Sequence, residues 1–484
     1  MKILIRHKWI EATILCLFIF LFRLYATIPI EDSGDSFVKW YETKRLFYGL
    51  PFSRLDHHTM RWGINFLSLF FQKIFGTQPS IYYLAPAFTA AGAAFFIYQI
   101  GLLLHGRLLA LSAMLLFSFH PVIINAGSQL FPGIFSIFYV LGSIFFLLIY
   151  ENNRQKKYLI CSAVFLFLAY GAKITNLFFL PAILLYILFI LHEKKAIFIY
   201  FGILFLGFCI ETAWIDSILG DYSLPGRLAL AGGHLNFMQS GSAKVAFLSA
   251  IFKRWEILPN YMYLHSIIGF VAAFYFLNHR TKFPKETLIA LCYLSVSFLI
   301  TFAISSLDPI QFLLPNRPRY LNVTIPLSLL LTLRLATLLG QYKYIVVTTL
   351  LLAAPYPIKL VHLIQSPTHR QFYKINSHKQ QIMNLLNKGY CLAFLREKHA
   401  RLYRAAFIDD NYALGIDAKK TVHIYKVPPH GSQYNESFTM YILKLSDNNT
   451  IKGIASPYPN NYVLSVRTFV TPNLNIDPSW EQIW

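Results

Sequence analysis

Residues 35–49 of the chain read Asp-Ser-Phe-Val-Lys-Trp-Tyr-Glu-Thr-Lys-Arg-Leu-Phe-Tyr-Gly. This stretch is too polar to span a bilayer, but its aromatic and basic side chains suit a helix that lies in the membrane interface. The Gly-Leu-Pro sequence at 49–51 is expected to end the helix. Asp35 stands at the predicted start, where the helix dipole favours an ionised carboxylate and where Asp35 or Ser33 is equally suited to cap the helix.

On both sides of this stretch the chain consists largely of apolar runs. Of 484 residues, 56% are hydrophobic and only 13% are charged, and the mean hydropathy is +0.48. This composition excludes a soluble enzyme, a disordered chain and a nucleic-acid-binding protein with a polar basic surface. We predict an all-α polytopic membrane protein with about eleven transmembrane helices. The predicted spans are 9–28, 81–104, 108–125, 131–150, 158–172, 174–191, 197–215, 261–278, 287–305, 320–339 and 344–363.

Basic residues in the short loops predict the orientation, because cytoplasmic loops carry an excess of Lys and Arg. If the crossings alternate from a cytoplasmic N-terminus, 13 of the 43 basic residues fall in short inner loops. They are Lys2, Arg6, Lys8, Arg107, Arg154, Lys156, Lys157, Lys194, Lys195, Arg280, Lys282, Lys285 and Lys343. We therefore predict a multi-pass protein of the cytoplasmic (inner) membrane with its N-terminus in the cytoplasm.

The acidic residues have a different distribution. Of the 14 Asp and Glu residues before position 366, nine fall in predicted outer segments. The inner face receives Glu11, Glu151, Glu193 and Glu286, and Glu211 lies near the outer end of a span. This clustering predicts that any chemistry faces the outside.

The composition changes near residue 366, where apolar runs shorten and Asn, Pro, Tyr and charged residues become more frequent. Strand-like stretches at 421–427, 438–445 and 462–470 follow a helical one at 378–386. We predict two domains, a transmembrane domain over 1–365 and a small α+β extracytoplasmic (periplasmic) domain over 366–484.

Several short motifs follow one another along the membrane part. They are Asp35, Leu46 and Gly49 at D-x10-L-x2-G spacing, Phe75-Gly76, Arg107-Leu108-Leu109-Ala110, Ser118-Phe119-His120-Pro121, Gly171-Ala172-Lys173-Ile174-Thr175, and Arg317-Pro318-Arg319-Tyr320-Leu321 before Pro326. In this order the set resembles the GT-C superfamily of membrane glycosyltransferases, in its protein-mannosyltransferase and aminoarabinose-transferase-like branch. The resemblance implies a GT-C fold with interfacial helices in the first outer loop.

The resemblance also implies a reaction. Such enzymes look like inverting transferases that move a sugar from a polyprenyl-phosphate donor to a lipid, glycan or protein acceptor at the outer face. Asp35 takes the family's catalytic-base position. Cations that stabilise the departing phosphate are expected among Arg61, Lys173, Arg317 and Arg319, with His58 and Tyr320 as further substrate-binding candidates.

The sequence departs from the family at two places. Ser36 stands where the family usually has Glu, and residues 130–133 offer no second acid. Either the role of that carboxylate is unfilled, or one of the secondary candidates Asp32 and Asp56 fills it from another position. Glu211 is a candidate to pair with a site cation. No cofactor is implied, because the lipid-linked sugar is a substrate. No group of residues has the spacing that is typical of metal ligands, although metal dependence stays open.

Alternatives remain for single residues and for the whole protein. Arg61 suits headgroup snorkelling, Lys173 suits a hairpin tip in the interface, and Tyr320 suits an aromatic belt. A transporter or flippase, an oligosaccharide polymerase or ligase of envelope glycans, and a non-catalytic family member are the competing functions. We expect membrane lipids and the lipid-linked donor as partners, and no nucleic acid.

Overall fold

The computed structural model describes residues 2–25, 34–49, 60–77, 79–219, 264–302, 304–307, 310–312, 322–338, 340, 390–394, 424–426, 440–445, 451–455 and 481–482. By backbone contacts the chain forms two compact units. The first contains residues 1–28, 54–71 and 80–364; the second contains 29–53, 72–79 and 365–484. The division at residue 365 into a membrane domain and an outer domain stays a prediction.

In its described residues, the first unit is helical except for one short hairpin. Its helices are α1 (Lys2–Tyr25), the first ten residues of α3 (Trp62–Phe75), α4 (Leu84–Leu104), α5 (Arg107–Ser118), α6 (Pro121–Ala126), α7 (Pro132–Asn153), α8 (Lys156–Ala172), α9 (Leu180–Phe189), α10 (Lys194–Leu219), α11 (Leu264–Asn278), α12 (Pro284–Phe302) and α13 (Ile325–Leu338). Two 3₁₀ helices, Pro79–Tyr83 and Ile174–Phe179, precede α4 and α9. Strands β1 (Ile304–Leu307) and β2 (Ile310–Phe312) pair antiparallel.

The chain is an integral membrane protein with several apolar helices. In the described residues, four helices are long and apolar enough to cross a membrane: Ser80–Leu104, Pro132–Asn153, Lys194–Trp214 and Pro284–Thr301. Shorter apolar helices are Arg107–Ser118, Ile174–Phe189, His265–Asn278 and Asn322–Leu338. The predicted span 344–363 lies outside the described residues, so the count of about eleven stays a prediction.

The predicted span 108–125 is not one continuous helix. Helix α5 ends at Ser118, and α6 begins at Pro121 after an extended His120 with ψ 129°. The residue before a proline is sterically kept out of the helical region, so the break falls where Pro121 follows His120. Hydropathy alone does not register this interruption, because the flanking residues are equally apolar. The predicted span 287–305 also ends early, at Phe302, and the β1–β2 hairpin follows.

Helix α7 lies at the centre of the first unit, between α4 and α8. It is apolar on all sides and almost wholly buried, as expected of a helix surrounded by other helices. Phe138 on α7 packs against Phe96 of α4 and Phe165 of α8, with ring centroids 5.5 and 6.0 Å apart.

Charged side chains tie together the helix ends that the sequence places on the inner face. Each of the four predicted inner acids has a hydrogen-bond partner there. The contacts are Arg107 Nε to Glu11 (3.0 Å), Arg154 Nη1 to Glu193, Tyr186 Oη to Glu151 (2.8 Å) and Arg334 Nε to Glu286 (2.7 Å). These acids therefore have structural partners at one end of the bundle.

The Arg334–Glu286 pair is the most enclosed of these contacts, with side chains 11% and 7% exposed. Arg334 Nη1 also donates to His105 Nδ1 at 3.0 Å. Partial burial and the neighbouring Arg334 cation lower the pKa of His105, which keeps the ring available as an acceptor.

We expect Glu286→Gln to destabilise the protein strongly, by about 3–5 kcal/mol, because it leaves the Arg334 charge buried and unpaired. The matched control is Glu11→Gln, whose partner Arg107 is 65% exposed and whose pair is expected to contribute about 1 kcal/mol or less. Thermal unfolding of both variants in detergent measures the difference. Equal midpoints for the two variants would contradict the structural role of the buried pair.

In the second unit, α2 (Gly34–Phe47) is followed by a turn through Gly49, which has a φ of +73°. The helix and its glycine stop are therefore as predicted. The unit also contains the last four residues of α3. Gln72 Nε2 donates to Thr43 Oγ1 at 2.9 Å, and Lys73 Nζ donates to the Phe47 carbonyl at 2.8 Å.

The charged face of α2 is buried, which its sequence does not suggest. Lys39, Glu42 and Lys44 are each 2% exposed or less. A helix resting on a membrane surface would leave such side chains in water or among headgroups. The interfacial location of α2 stays a prediction.

The remaining described segments of the second unit are strands in one five-stranded sheet. They are β3 (Tyr390–Phe394), β4 (Ile424–Lys426), β5 (Met440–Leu445), β6 (Ile451–Ala455) and β7 (Glu481–Gln482), in the order β6-β5-β3-β4-β7. β3 and β4 pair parallel, and the other neighbours pair antiparallel. β4 and β5 fall within two of the predicted strands, whereas the predicted strand 462–470 and helix 378–386 lie outside the described residues.

Candidate functional site

The start of α3 meets the end of α8 and the last turns of α10. The buried Trp62 donates its indole Nε1 hydrogen to Glu211 Oε1 at 2.8 Å. The indole ring also packs on Phe167 of α8, with centroids 5.0 Å apart. The carboxylate that the sequence placed near the outer end of a span is thus held by a tryptophan at this junction, which we call the α3–α8 joint.

Two glycines allow the backbones of the α3–α8 joint to come this close. A Cβ at Gly63 would lie 2.7 Å from the Ala172 nitrogen, and a Cβ at Gly171 would lie 2.5 Å from Trp62 Cη2. Real Cβ atoms do not approach backbone or a buried ring so closely. Tyr139 Oη of α7 donates a hydrogen bond to the Gly63 carbonyl at 2.9 Å, which also holds the start of α3 in place.

Lys173 lies at the end of α8 in extended conformation, with φ −159° and ψ 124°, and its side chain is half-buried. Its N–H donates to the Ala169 carbonyl at 2.9 Å, and its own carbonyl accepts from Asn176 N at 3.0 Å. The Asn176 amide donates to Ser136 Oγ (2.8 Å) and to the Ala169 carbonyl (2.7 Å). The turn that carries Lys173 is therefore held on both sides.

Arg61 lies at the other side of the α3–α8 joint, directly before Trp62. Its carbonyl accepts from Ile64 N and Asn65 N in the first turn of α3, at 2.9 and 3.0 Å, and its side chain is half-buried. Because Gly63 contacts Ala172, the backbones that carry Arg61 and Lys173 come together here. Among the candidates in the described part of the first unit, the structure brings Arg61, Lys173 and Glu211 to one joint.

The other candidates lie in the second unit or outside the described residues. Asp35 lies in the first turn of α2, in the second unit. His58, Asp32, Asp56, Arg317, Arg319 and Tyr320 lie outside the described residues. Within the described ranges, no group of three or more His, Cys, Asp or Glu side chains is arranged to hold a metal ion.

A histidine pair beside the α5–α6 break was not predicted. His120 Nε2 and His265 Nε2 are 3.4 Å apart, and His265 Nδ1 lies 2.9 Å from Ser328 Oγ. The pair links the α5–α6 break to α11 and α13. His120 belongs to the Ser-Phe-His-Pro motif, but nothing in the sequence joins it to His265, 145 residues away.

Two comparisons with known proteins gave no match. No protein-family model matches the chain. No curated protein matches its sequence.

Solved structures do show a likeness. The chain is similar to ArnT from Cupriavidus metallidurans bound to undecaprenyl phosphate, with a TM-score of 0.46 and 12% identity over 84% of this chain and 75% of that one. It is similar to the apo form of the same protein, with a TM-score of 0.45 and 12% identity over 84% and 74% of the two chains. It is also similar to the Archaeoglobus fulgidus oligosaccharyltransferase in complex with Zn and sulfate, with a TM-score of 0.46 and 12% identity over 75% of this chain.

The chain spans 55% of the length of the oligosaccharyltransferase. All three matches are at low sequence identity.

Proposed function

We propose that the protein is an inverting glycosyltransferase that uses a sugar linked to a polyprenyl phosphate. The acceptor is a lipid, glycan or protein, the reaction takes place at the outer face of the cytoplasmic membrane, and Asp35 is the general base. The observation that carries the proposal is the α3–α8 joint, where two cation-bearing backbones, at Arg61 and Lys173, meet beside a buried carboxylate.

The chemistry of such a transfer explains this arrangement. The sugar–phosphate bond breaks as the acceptor oxygen attacks the anomeric carbon, so negative charge grows on the departing phosphate. A guanidinium fork and an ammonium held in a partly dehydrated site stabilise that charge more strongly than water does. The acceptor hydroxyl loses its proton to a carboxylate, a role that we propose for Asp35 in the first turn of α2.

The main alternative is a transporter or flippase that moves the lipid-linked sugar unchanged. Transporters tend to hold ionisable groups near the midplane on discontinuous helices. Here Arg61, Lys173 and Glu211 gather at the ends of helices that are predicted to be outer, which favours transfer. An oligosaccharide polymerase or ligase would share this placement and differs from the proposal in its acceptor.

The test of the phosphate site is a double-mutant cycle on Arg61→Gln and Lys173→Gln. We expect each variant to lower kcat/KM for sugar transfer by about 10²–10³-fold. If both cations act on one phosphate, the double variant loses clearly less than the product of the two single losses. Lys157→Gln, an exposed lysine at the other end of α8, is the control and keeps full activity. Independent losses that multiply, or full activity in either single variant, would contradict a shared phosphate.

A further inference from the structure

Arg23 is a buried cation that the proposed transfer does not use. It lies two residues before the end of α1 and is 1% exposed. Of the five N–H donors of a guanidinium, one at Nη2 donates to the Ser118 carbonyl at the end of α5. Nε and Nη1 are buried, and within the described residues neither has a hydrogen-bond partner.

The surroundings of Arg23 do not neutralise its charge. Within the part of the chain that the structure describes, no carboxylate forms an ion pair with it. The Phe22 ring lies 5.8 Å from Cζ, and the Cβ position of Gly127 lies 3.7 Å from the same atom. An enclosed guanidinium without a counter-charge is strongly unfavourable, so a native protein is expected to supply an anion or ordered water at this point.

Ser118 contributes a second unsatisfied group to the same place. Its carbonyl accepts from Arg23, while its hydroxyl Oγ is buried and has no partner among the described residues. An N–H fork and a hydroxyl are the donor set that proteins use for phosphate oxygens. The serine belongs to the Ser-Phe-His-Pro motif of residues 118–121, for which the transfer reaction gives no role.

The Arg23 site is distinct from the α3–α8 joint. Arg23 packs between α1, the end of α5 and the turn at Gly127, near Ala90 of α4. The contacts that define the joint connect α3 to α8 and α10, and they involve Trp62, Gly63, Gly171 and Glu211. Arg23 lies five residues before the end of the predicted span 9–28, which corresponds to about 7 Å of helix rise from its predicted outer end.

We propose that Arg23 and the Ser118 hydroxyl form a second, buried anion site that binds a phosphate group, carried by a lipid headgroup or free in solution. The site holds a ligand and does no chemistry. A phosphate bound in this site neutralises the charge of Arg23 and links the ends of α1 and α5.

The test measures binding to the purified full chain in detergent. The probes are phosphatidylglycerol, diacylglycerol as its phosphate-free counterpart, and inorganic phosphate; bound lipid is counted by native mass spectrometry, and affinity is read from the shift in Tm. We expect phosphatidylglycerol to bind at least tenfold more tightly than diacylglycerol. Arg23→Gln is expected to remove this preference, with a loss of about tenfold or more, and Ser118→Ala to weaken it about threefold.

The controls separate ligand binding from folding. Thr89→Val removes a hydroxyl that is equally buried but already bonded to carbonyls of its own helix, and it keeps the wild-type preference. If Arg23→Gln does not fold, two other variants test the site by the same binding measurement. Arg23→Lys keeps the charge but loses the N–H fork, and Ser118→Ala removes the hydroxyl. Wild-type affinity in both, or no preference for either phosphate probe over diacylglycerol, would overturn the proposal and leave ordered water as the partner of Arg23.

The probes also identify the source of the phosphate, since binding of inorganic phosphate alone indicates a free ion and binding of the lipid alone indicates a headgroup. Asp35→Asn is expected to leave this binding unchanged. A protein that transfers no sugar but still shows phosphate binding dependent on Arg23 would disprove the proposed function and support this site.

Discussion

Asp35→Asn is expected to abolish sugar transfer, with a loss of about 10³–10⁴-fold or more, while the protein inserts and folds as the wild type does. An amide cannot accept the proton of the acceptor hydroxyl, and general-base catalysis together with charge placement commonly accounts for losses of this size. The measurement is the single-turnover rate at a saturating concentration of lipid-linked donor. It separates chemistry from donor binding, which the substitution leaves intact.

Two controls define what the Asp35 result means. Asp35→Glu keeps a carboxylate in the first turn of α2 and is expected to retain partial activity. Asp216→Asn removes another carboxylate of the predicted outer face, at the end of α10, and is expected to retain full activity. Full activity in Asp35→Asn would remove the general base from the mechanism; loss in Asp216→Asn as well would point to a general effect of outer charge.

Gly171→Ala is expected to have the second largest effect, because its Cβ would lie 2.5–2.7 Å from three carbons of the Trp62 ring. The Trp62 ring has little room to move, because it is buried and its Nε1 is hydrogen-bonded to Glu211. Overpacking of this kind costs about 1–3 kcal/mol. A displacement of about 1 Å at the α3–α8 joint would reduce the transfer rate about 10²-fold, because Arg61 and Lys173 have to be correctly positioned to bind the phosphate.

Gly202→Ala is the matched control for this substitution. It is also a glycine-to-alanine change inside a helix, but nothing lies within 4 Å of the new Cβ. Helix propensity alone makes it neutral or stabilising, by up to about 1 kcal/mol. Thermal unfolding and transfer rate are measured for both variants. A Gly171→Ala protein as stable and active as Gly202→Ala would contradict the close approach of α3 and α8.

The parts of the fold that depend on local signals were predictable from the sequence. The α2 helix ends at Phe47, two residues before Gly49, and α3 ends at Phe75, directly before Gly76; both glycines adopt positive φ, at +73° and +90°. Glycine reaches this conformation without steric cost, so the residue marks the stop wherever the helix later packs. The long apolar helices followed for a similar reason, since bilayer thickness alone sets their length.

Features that depend on contacts between distant segments were not predictable. The Trp62–Glu211 hydrogen bond joins residues 149 positions apart, and the Arg334–Glu286 pair joins residues 48 apart. Charge patterns placed Glu286 on the inner face and Glu211 near the outer end of a span, but one sequence contains nothing that selects their partners. The burial of Lys39, Glu42 and Lys44 on α2 was not predicted, because the residues that cover them are distant in the sequence.

The departure from the family pattern at residues 130–133 has a structural counterpart. Where the family often carries an acid, the Cβ position of Gly133 lies 3.5 Å from Asn322 Nδ2. The backbone N–H of Leu130 is bonded to Tyr82 Oη at 3.0 Å. The place is therefore packed against neutral polar groups, and residues 130–133 provide no carboxylate there.

The most direct test of the central claim is the fate of the bond between sugar and lipid phosphate. Proteoliposomes with the purified chain are given a polyprenyl-phosphate hexose or aminopentose and an envelope extract as the source of acceptor, and the lipids are analysed by mass spectrometry. We expect the wild type to release free polyprenyl phosphate and Asp35→Asn to release none. Movement of the intact lipid-linked sugar across the bilayer, with no free polyprenyl phosphate, would contradict transfer and identify a transporter.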